Sequence, residues 1–397
     1  MIHPKPTPKR FTMVEVVISL MLVSVMFLLV SYAVTGSKQE ISVITSYQLV
    51  SNNVLSTLAQ LKDEIHESKD LFGYTSAVEE DYLNIVNFTD HPQMLTDSTL
   101  PDIAPKGTMD TTSPDWDNII VGNCIMMARR LSPAQVVFDN DGTIDLDKDG
   151  TADSPSPYRI VVPEDDPADD DKTYNVGLYR FEIYYLSETP EVKMPHVKTS
   201  LALVKAESTI YADYKGLDVI RGENPDDFSD IVSGLVNTGV RPENISNSGK
   251  LEKVEMAWDY SRNNVAEAFY YFEPNGADWQ IAATPDATHE IALKSSKKLV
   301  GGRSLMSGTF VSISFNTLDD AGDPMFPVTG RNNQTPVFAA EPGAPNYLSK
   351  YFPSGFEVMI TGPAGARRIF IRLVTVFTDG KKIYPYKATI LASSTEG

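Results

Sequence analysis

The chain has 397 residues, enough for one large head or two closely packed units, and its 42% apolar and 10% aromatic content supplies a core and excludes bulk disorder. Three of its 34 Lys and Arg residues lie in the first ten positions. The remaining 31 face 53 acidic residues, a net charge of -22 that excludes a nucleic-acid binder and suits cationic partners, divalent metals included. Its single cysteine, Cys124, rules out an internal disulfide.

Residues 1–10 (MIHPKPTPKR) form a basic leader, followed over residues 11–36 by a nearly continuous apolar run whose single charge is Glu15. Met13 to Val34 spans 22 residues, or ~33 Å as a helix, enough to cross a bilayer. The leader's positive charges predict a cytoplasmic N-terminus and an outside body. Three readings of this segment compete. For a cleaved secretory signal the run is long, and Ala33–Gly36 is a mediocre cleavage site. In a plain single-pass anchor, Glu15 would lie at headgroup level, which softens the ~2.5–3.5 kcal/mol penalty of a charge at the bilayer centre.

The third reading rests on a resemblance. Basic residues, then Phe11-Thr12-Met13-Val14-Glu15, then an unbroken apolar helix, resemble the processing signal of type IV prepilins and type II secretion pseudopilins. The resemblance implies cleavage between Arg10 and Phe11 by a prepilin peptidase, with methylation of the new amino terminus at Phe11. It implies that Glu15 neutralises the terminal ammonium of a neighbouring subunit during filament assembly. The physical logic agrees, because a carboxylate in hydrocarbon needs an opposite charge from a partner helix. Arg10 departs from the family, which carries glycine before the cut. The implied localisation is the inner membrane as a single-pass protein before assembly, with a periplasmic or extracellular head.

No proline occurs between Phe11 and His91, so nothing forces a break, and Gly36 is the one weak spot. Over residues 37–70, Tyr47, Val50, Val54, Leu58, Leu61 and Ile65 recur at three- or four-residue spacing, one stripe of an amphipathic helix. Gln60, Lys62 and Glu64 are read onto its polar faces. A short coiled coil is the alternative.

Residues 71–397 read as a β-rich globular head. Tyr82–Phe88, Asn118–Met127, Tyr179–Tyr185 and Val311–Phe315 are expected strands, the third of them half-buried. Arg368–Phe377, the turn Asp379-Gly380, and Lys381–Leu391 read as a hairpin whose second strand Pro385 confines to an edge. Asp226–Val236 is an expected short helix. A domain boundary is placed near 187–200 or 222–249, neither one sharp. The predicted fold class is therefore α+β, a long N-terminal helix, half membrane and half amphipathic, packed on a large antiparallel β-rich head. Head size and tyrosine-rich strands resemble a minor pseudopilin of the J type.

The sharpest motif in the head is the acidic loop 139–153. Calcium takes six to eight oxygens, and a tight loop supplies them at alternate positions around a glycine turn. With Asp145 as position one, Asp147 and Asp149 fall at three and five, Gly150 at six, the Thr151 carbonyl at seven and Asp153 at nine. Asp139 and Asp141 precede them as further ligands. This resembles EF-hand-like and thrombospondin type 3 calcium loops, with Ser156 where a bidentate glutamate belongs. A solvated acidic loop is the alternative.

Catalytic signatures are missing. The five histidines are scattered, and neither a G-x-S-x-G elbow nor a G-x-x-x-x-G-K-[ST] loop occurs. Cys124 and the tryptophans Trp116, Trp258 and Trp279 read as core. The favoured expectation is a non-enzymatic filament subunit with pilin-like partners, prepilin peptidase and the inner membrane. The alternative is a membrane-tethered extracytoplasmic binding protein or hydrolase with an uncleaved anchor.

Overall fold

The computed structural model describes residues 13–73, 80–95, 98, 100–101, 103–104, 122–139, 159–163, 172–188, 201–240, 251–262, 264–300, 309–311, 355–362, 367–378 and 383–394. It opens with α1, Met13–His66, a 54-residue helix of ~81 Å. Gly36 lies inside it without a break, and the space its side chain would occupy is open. The helix ends four residues before the expected 70. Ser68 Oγ donates to the Ile65 carbonyl at 2.7 Å, satisfying one of the last-turn acceptors. At Ser68 the chain enters β1 (Ser68–Phe72).

The head follows in chain order: α2 (Glu80–Asn84), β2 (Val86–Asn87), β3 (Ile103–Ala104), β4 (Ile125–Asp139), β5 (Arg159–Pro163), β6 (Lys172–Glu188) and β7 (Leu201–Asp213). Next come α3 (Tyr214–Glu223), α4 (Pro225–Ser233) with a π-turn at Gly234–Thr238, and β8 (Met256–Trp258). The chain then forms β9 (Phe269–Asn275), β10 (Asp278–Ile281), β11 (Ile291–Val300), β12 (Thr309–Val311), β13 (Phe356–Thr361), β14 (Arg368–Thr378) and β15 (Ile383–Ser393). Strands β4, β6 and β7 form the antiparallel centre of the sheet. The far edge of β7 is shared by β11, β12 and a short parallel stretch of β8. From there β12 passes the sheet on to β14, which pairs with β15 along its whole length. The architecture is α+β, as the residue pattern predicts.

Three cores explain the burial. One lies between α1 and the sheet, where Val50, Val54, Leu58, Leu61 and Ile65 pack against Tyr184, Leu186, Leu203, Val358 and Ile371. The opposite face of the same strands carries an aromatic core around Phe181, Tyr211, Trp258 and Phe269. At the distal end of β4, β6 and β7, Leu131, Val176, Leu178 and Ile210 pack beneath α3 and α4. Tyr184 faces one core and Tyr185 the other, so β6 is buried on both faces through its centre. The expectation of a half-buried strand over Tyr179–Tyr185 is corrected accordingly. Tyr82–Phe88 is corrected too: Tyr82 and Leu83 lie on α2 because their rings and methyls cap the aromatic core, and only Val86–Asn87 pairs as strand.

The hairpin of β14 and β15 is present, with Thr378 opposite Ile383 and Val376 opposite Pro385, a register two residues longer in the connection than a turn at Asp379-Gly380 alone would give. Cys124 and Trp258 are core residues. The expected helix at Asp226–Val236 corresponds to α4 and its π-turn, while α3 has no counterpart in the sequence expectations.

Candidate functional site

From Met13 to Val34 every side chain of α1 is exposed, with Phe27 at 75% and Tyr32 at 84%. Seventeen large hydrophobic side chains lie in this stretch. Each stabilises its surroundings by roughly 1.5–3 kcal/mol when taken out of water, so this half of the helix demands an apolar environment worth tens of kcal/mol. It is long and apolar enough to cross a membrane. Glu15 sits in the exposed first turn, where a carboxylate also complements the helix dipole.

The other half of α1 is held by charge as well as by its apolar stripe. Glu64 is buried at 6% exposure, three residues after Leu61 on the packed side, which corrects its assignment to a polar face. Its carboxylate takes Lys205 Nζ at 2.8 Å and a hydrogen bond from the Tyr184 hydroxyl. Lys205 also reaches Glu207 at 2.8 Å and Glu182 at 3.2 Å. Arg129 joins the group, contacting Glu182 at 3.4 Å and Glu67 at 2.8 Å. These charges lie on the strand faces that α1 covers, so the helix closes the cluster. Burial lifts the Glu182 carboxyl to about 7, with Glu64 pushing the same way and Lys205 and Arg129 opposing. Glu182 Oε2 has no hydrogen-bond partner.

Further along β7 the sheet opens into a cleft of about 720 Å³. β11 leaves the edge of β7 at Ser208, and β8 joins that edge only at Ala212. Among the described residues, no strand pairs with this edge at Thr209–Tyr211, and these residues floor the gap. One wall is the segment Leu251–Met256, and the other runs from Asp286 to Lys294. Tyr211 and His289 Nε2 share a 3.0 Å hydrogen bond, and the imidazole packs tilted against the Phe269 ring with centroids 4.4 Å apart. Burial drives the His289 pKa down to about 4, so it is neutral at physiological pH. Asp286 accepts from Thr288 Oγ1 at 2.8 Å and the Thr288 amide at 3.0 Å, fixing the turn that carries His289. At the other end, Glu252 Oε2 takes Arg180 at 2.7 Å and Lys294, tying the two walls together.

Of the expected site residues, Glu15 and Asp139 are described. Arg10, Phe11, Asp141, Asp145, Asp147, Asp149, Thr151 and Asp153 lie outside the described residues, and Asp139 is the last residue of β4. The charged clamp and the cleft went unrecognised in the sequence. The signal for the cluster was present, since charges interrupt mostly apolar strands: Arg180 and Glu182 in YRFEIYYL, Lys205 and Glu207 in LALVKAES. The cleft joins residues as far apart as Tyr211 and His289, 78 positions along the chain, and nothing local marks it.

No family model, curated protein or solved structure matches this chain.

Proposed function

We propose that this chain is a structural subunit of a type IV pilus-like or type II secretion pseudopilus filament, assembled through its N-terminal helix. The observation that carries the reading is α1 itself, one unbroken helix whose first 22 residues are exposed and apolar while its second half is locked into the head. In this reading residues 11–36 sit in the inner membrane before assembly and pack against neighbouring helices afterwards. Phe11 is the processed terminus, and Glu15 neutralises the terminal ammonium of an adjacent subunit. A periplasmic or extracellular head then projects from the filament. Loop 139–153 takes calcium, on the strength of its alternating aspartates and the turn at Gly150.

The mature N-terminus tests processing: mass spectrometry is expected to find N-methyl-phenylalanine at Phe11. An intact Met1 would instead favour an uncleaved, membrane-tethered protein, the reading that Arg10 before the cut supports. Glu15→Ala is expected to insert into the membrane normally and to lose most incorporation into filaments. Wild-type incorporation of that variant sinks the assembly role. Calcium is expected to raise the melting temperature of the full chain in detergent relative to chelator, and Asp145→Asn with Asp147→Asn to abolish the shift.

A further inference from the structure

We infer that the buried charges under the last turns of α1 form a proton-linked clamp. The clamp keeps one proton while the helix is seated and gives it up as pH rises. Residues 55–66 of α1 then loosen from the sheet, while the rest of the head stays folded. This goes beyond the filament reading and does not depend on it. The charges form a row across the sheet, and each element packed there contributes. β4 brings Arg129, β6 brings Glu182 and Tyr184, and β7 brings Lys205 and Glu207, with Arg180 adjoining Glu207 at 3.4 Å. α1 brings Glu64, to which Gln60 donates at 2.8 Å, and Glu67 follows directly after the helix. At the edge of β7, β11 adds Ser295, which donates to Glu207 at 3.4 Å, and the exposed Lys297 opposite Lys205.

Geometry makes the proton necessary. Glu182 and Glu64 are both buried, and both carboxylates reach the single ammonium of Lys205, which Glu207 also shares. With Glu67, four carboxylates meet three cations, Lys205, Arg129 and Arg180, so one proton balances the row. Extending it through Arg180 to Glu252 and Lys294 leaves the same excess of one. Carboxylates crowded into a dry site do not all ionise together. Burial first and Glu64 second hold the Glu182 carboxyl up at about 7. Both causes need the helix, since α1 covers the row and carries Glu64. Lifting α1 returns Glu182 toward its ordinary value, so the seated state binds the proton more tightly. By linkage, losing that proton favours the lifted state, and the clamp weakens as pH rises from 4.5 through about 7. The aromatic core and the core beneath α3 and α4 contain no residue of α1, so they stand without it. His66, exposed in the last turn, is the other group on this part of α1 that titrates near neutral pH.

Hydrogen-exchange mass spectrometry of the full chain in nonionic detergent tests the clamp. With intrinsic exchange rates corrected, opening of residues 55–66 is expected to rise roughly tenfold between about pH 5 and about pH 8, one pKa unit lost on opening being tenfold in its equilibrium. Helix α3 and strand β9, which belong to the other two cores, are expected to keep their protection. Glu182→Gln has no proton to lose and is expected to abolish the rise. Glu64→Gln removes the like charge from the helix side and is expected to shrink it. Glu188→Gln, at an exposed position on the end of the same strand, is expected to leave it unchanged. A wild-type opening that ignores pH overturns the proposal. So does a rise that survives Glu182→Gln, which would belong to His66, or an equal rise in α3 and β9, which would mark loss of the whole head. Should Glu182→Gln fail to fold, a full wild-type rise in Glu64→Gln overturns it as well.

Discussion

The two halves of α1 share a backbone and differ in almost everything else. Between Met13 and Val34 apolar side chains point in every direction and all are exposed. In the second half, Val50, Val54, Leu58, Leu61 and Ile65 form one stripe, each no more than 4% exposed, and the remaining faces are mostly polar. The first half is built for a solvent that surrounds it, the second for a single wall. The second half also carries what the first excludes, a cluster in which Glu64, Glu182 and Glu207 surround Lys205. That wall therefore specifies orientation as well as adhesion, since an apolar stripe alone tolerates sliding and a buried ion cluster does not.

The sharpest way to break this comparison is to remove the cation at the centre of the cluster. Lys205→Met leaves three carboxylates without their shared partner and is expected to cost about 3–5 kcal/mol in urea unfolding of the full chain in detergent. Next is a matched pair along the helix. Leu58→Ala is expected to cost about 2–5 kcal/mol, and the same truncation at Leu22 less than ~0.5 kcal/mol in head unfolding, because only Leu58 has a packed cavity to leave behind. Equal effects at the two positions would show that the halves are not distinct.

The smallest and most diagnostic effect is in pH. Folded Glu182 holds its proton up to about 7, whereas the unfolded carboxyl releases it near its ordinary value of 4.5. The folded state therefore binds more protons between those limits, and this group's contribution to stability falls as pH rises from about 4.5 to 7. His289 runs the other way. It is held neutral down to about 4 when folded, so its contribution is complete above the ordinary value of 6.5 and is lost as pH falls from there to about 4. The two slopes oppose each other in the wild type. Glu182→Gln is expected to gain up to about 2–3 kcal/mol over the wild type between pH 4.5 and 7, read from urea midpoints. A flat difference curve would remove Glu182 from the cluster's titration.

The helix was legible because its information is local. An absence of proline, a long apolar run and a three-four spacing are all readable from neighbours in the chain, and the stripe Val50–Ile65 is buried as that spacing requires. The β14–β15 hairpin was legible for the same reason, a short turn between two strand-like runs. Glu64 was misplaced because its charge outweighed its position. It lies on the buried side by helical phase, and the cation that pairs with it there, Lys205, is 141 residues away. Tyr82 was misread as strand since an aromatic-rich run fits a strand until a core claims it from the end. The cleft depends on where two strands part from a third, a property of topology that no stretch of residues carries.

The unbroken passage of α1 through Gly36 has a geometric consequence. With 3.6 residues per turn, each residue fixes an azimuth, so the direction in which Glu15 points sets the compass bearing of the head. Adding one residue between the halves turns the head by ~100° about the helix axis, whereas adding seven returns it to within ~20° and lifts it by ~10 Å. The spacing between the two halves is thus a phase as much as a length.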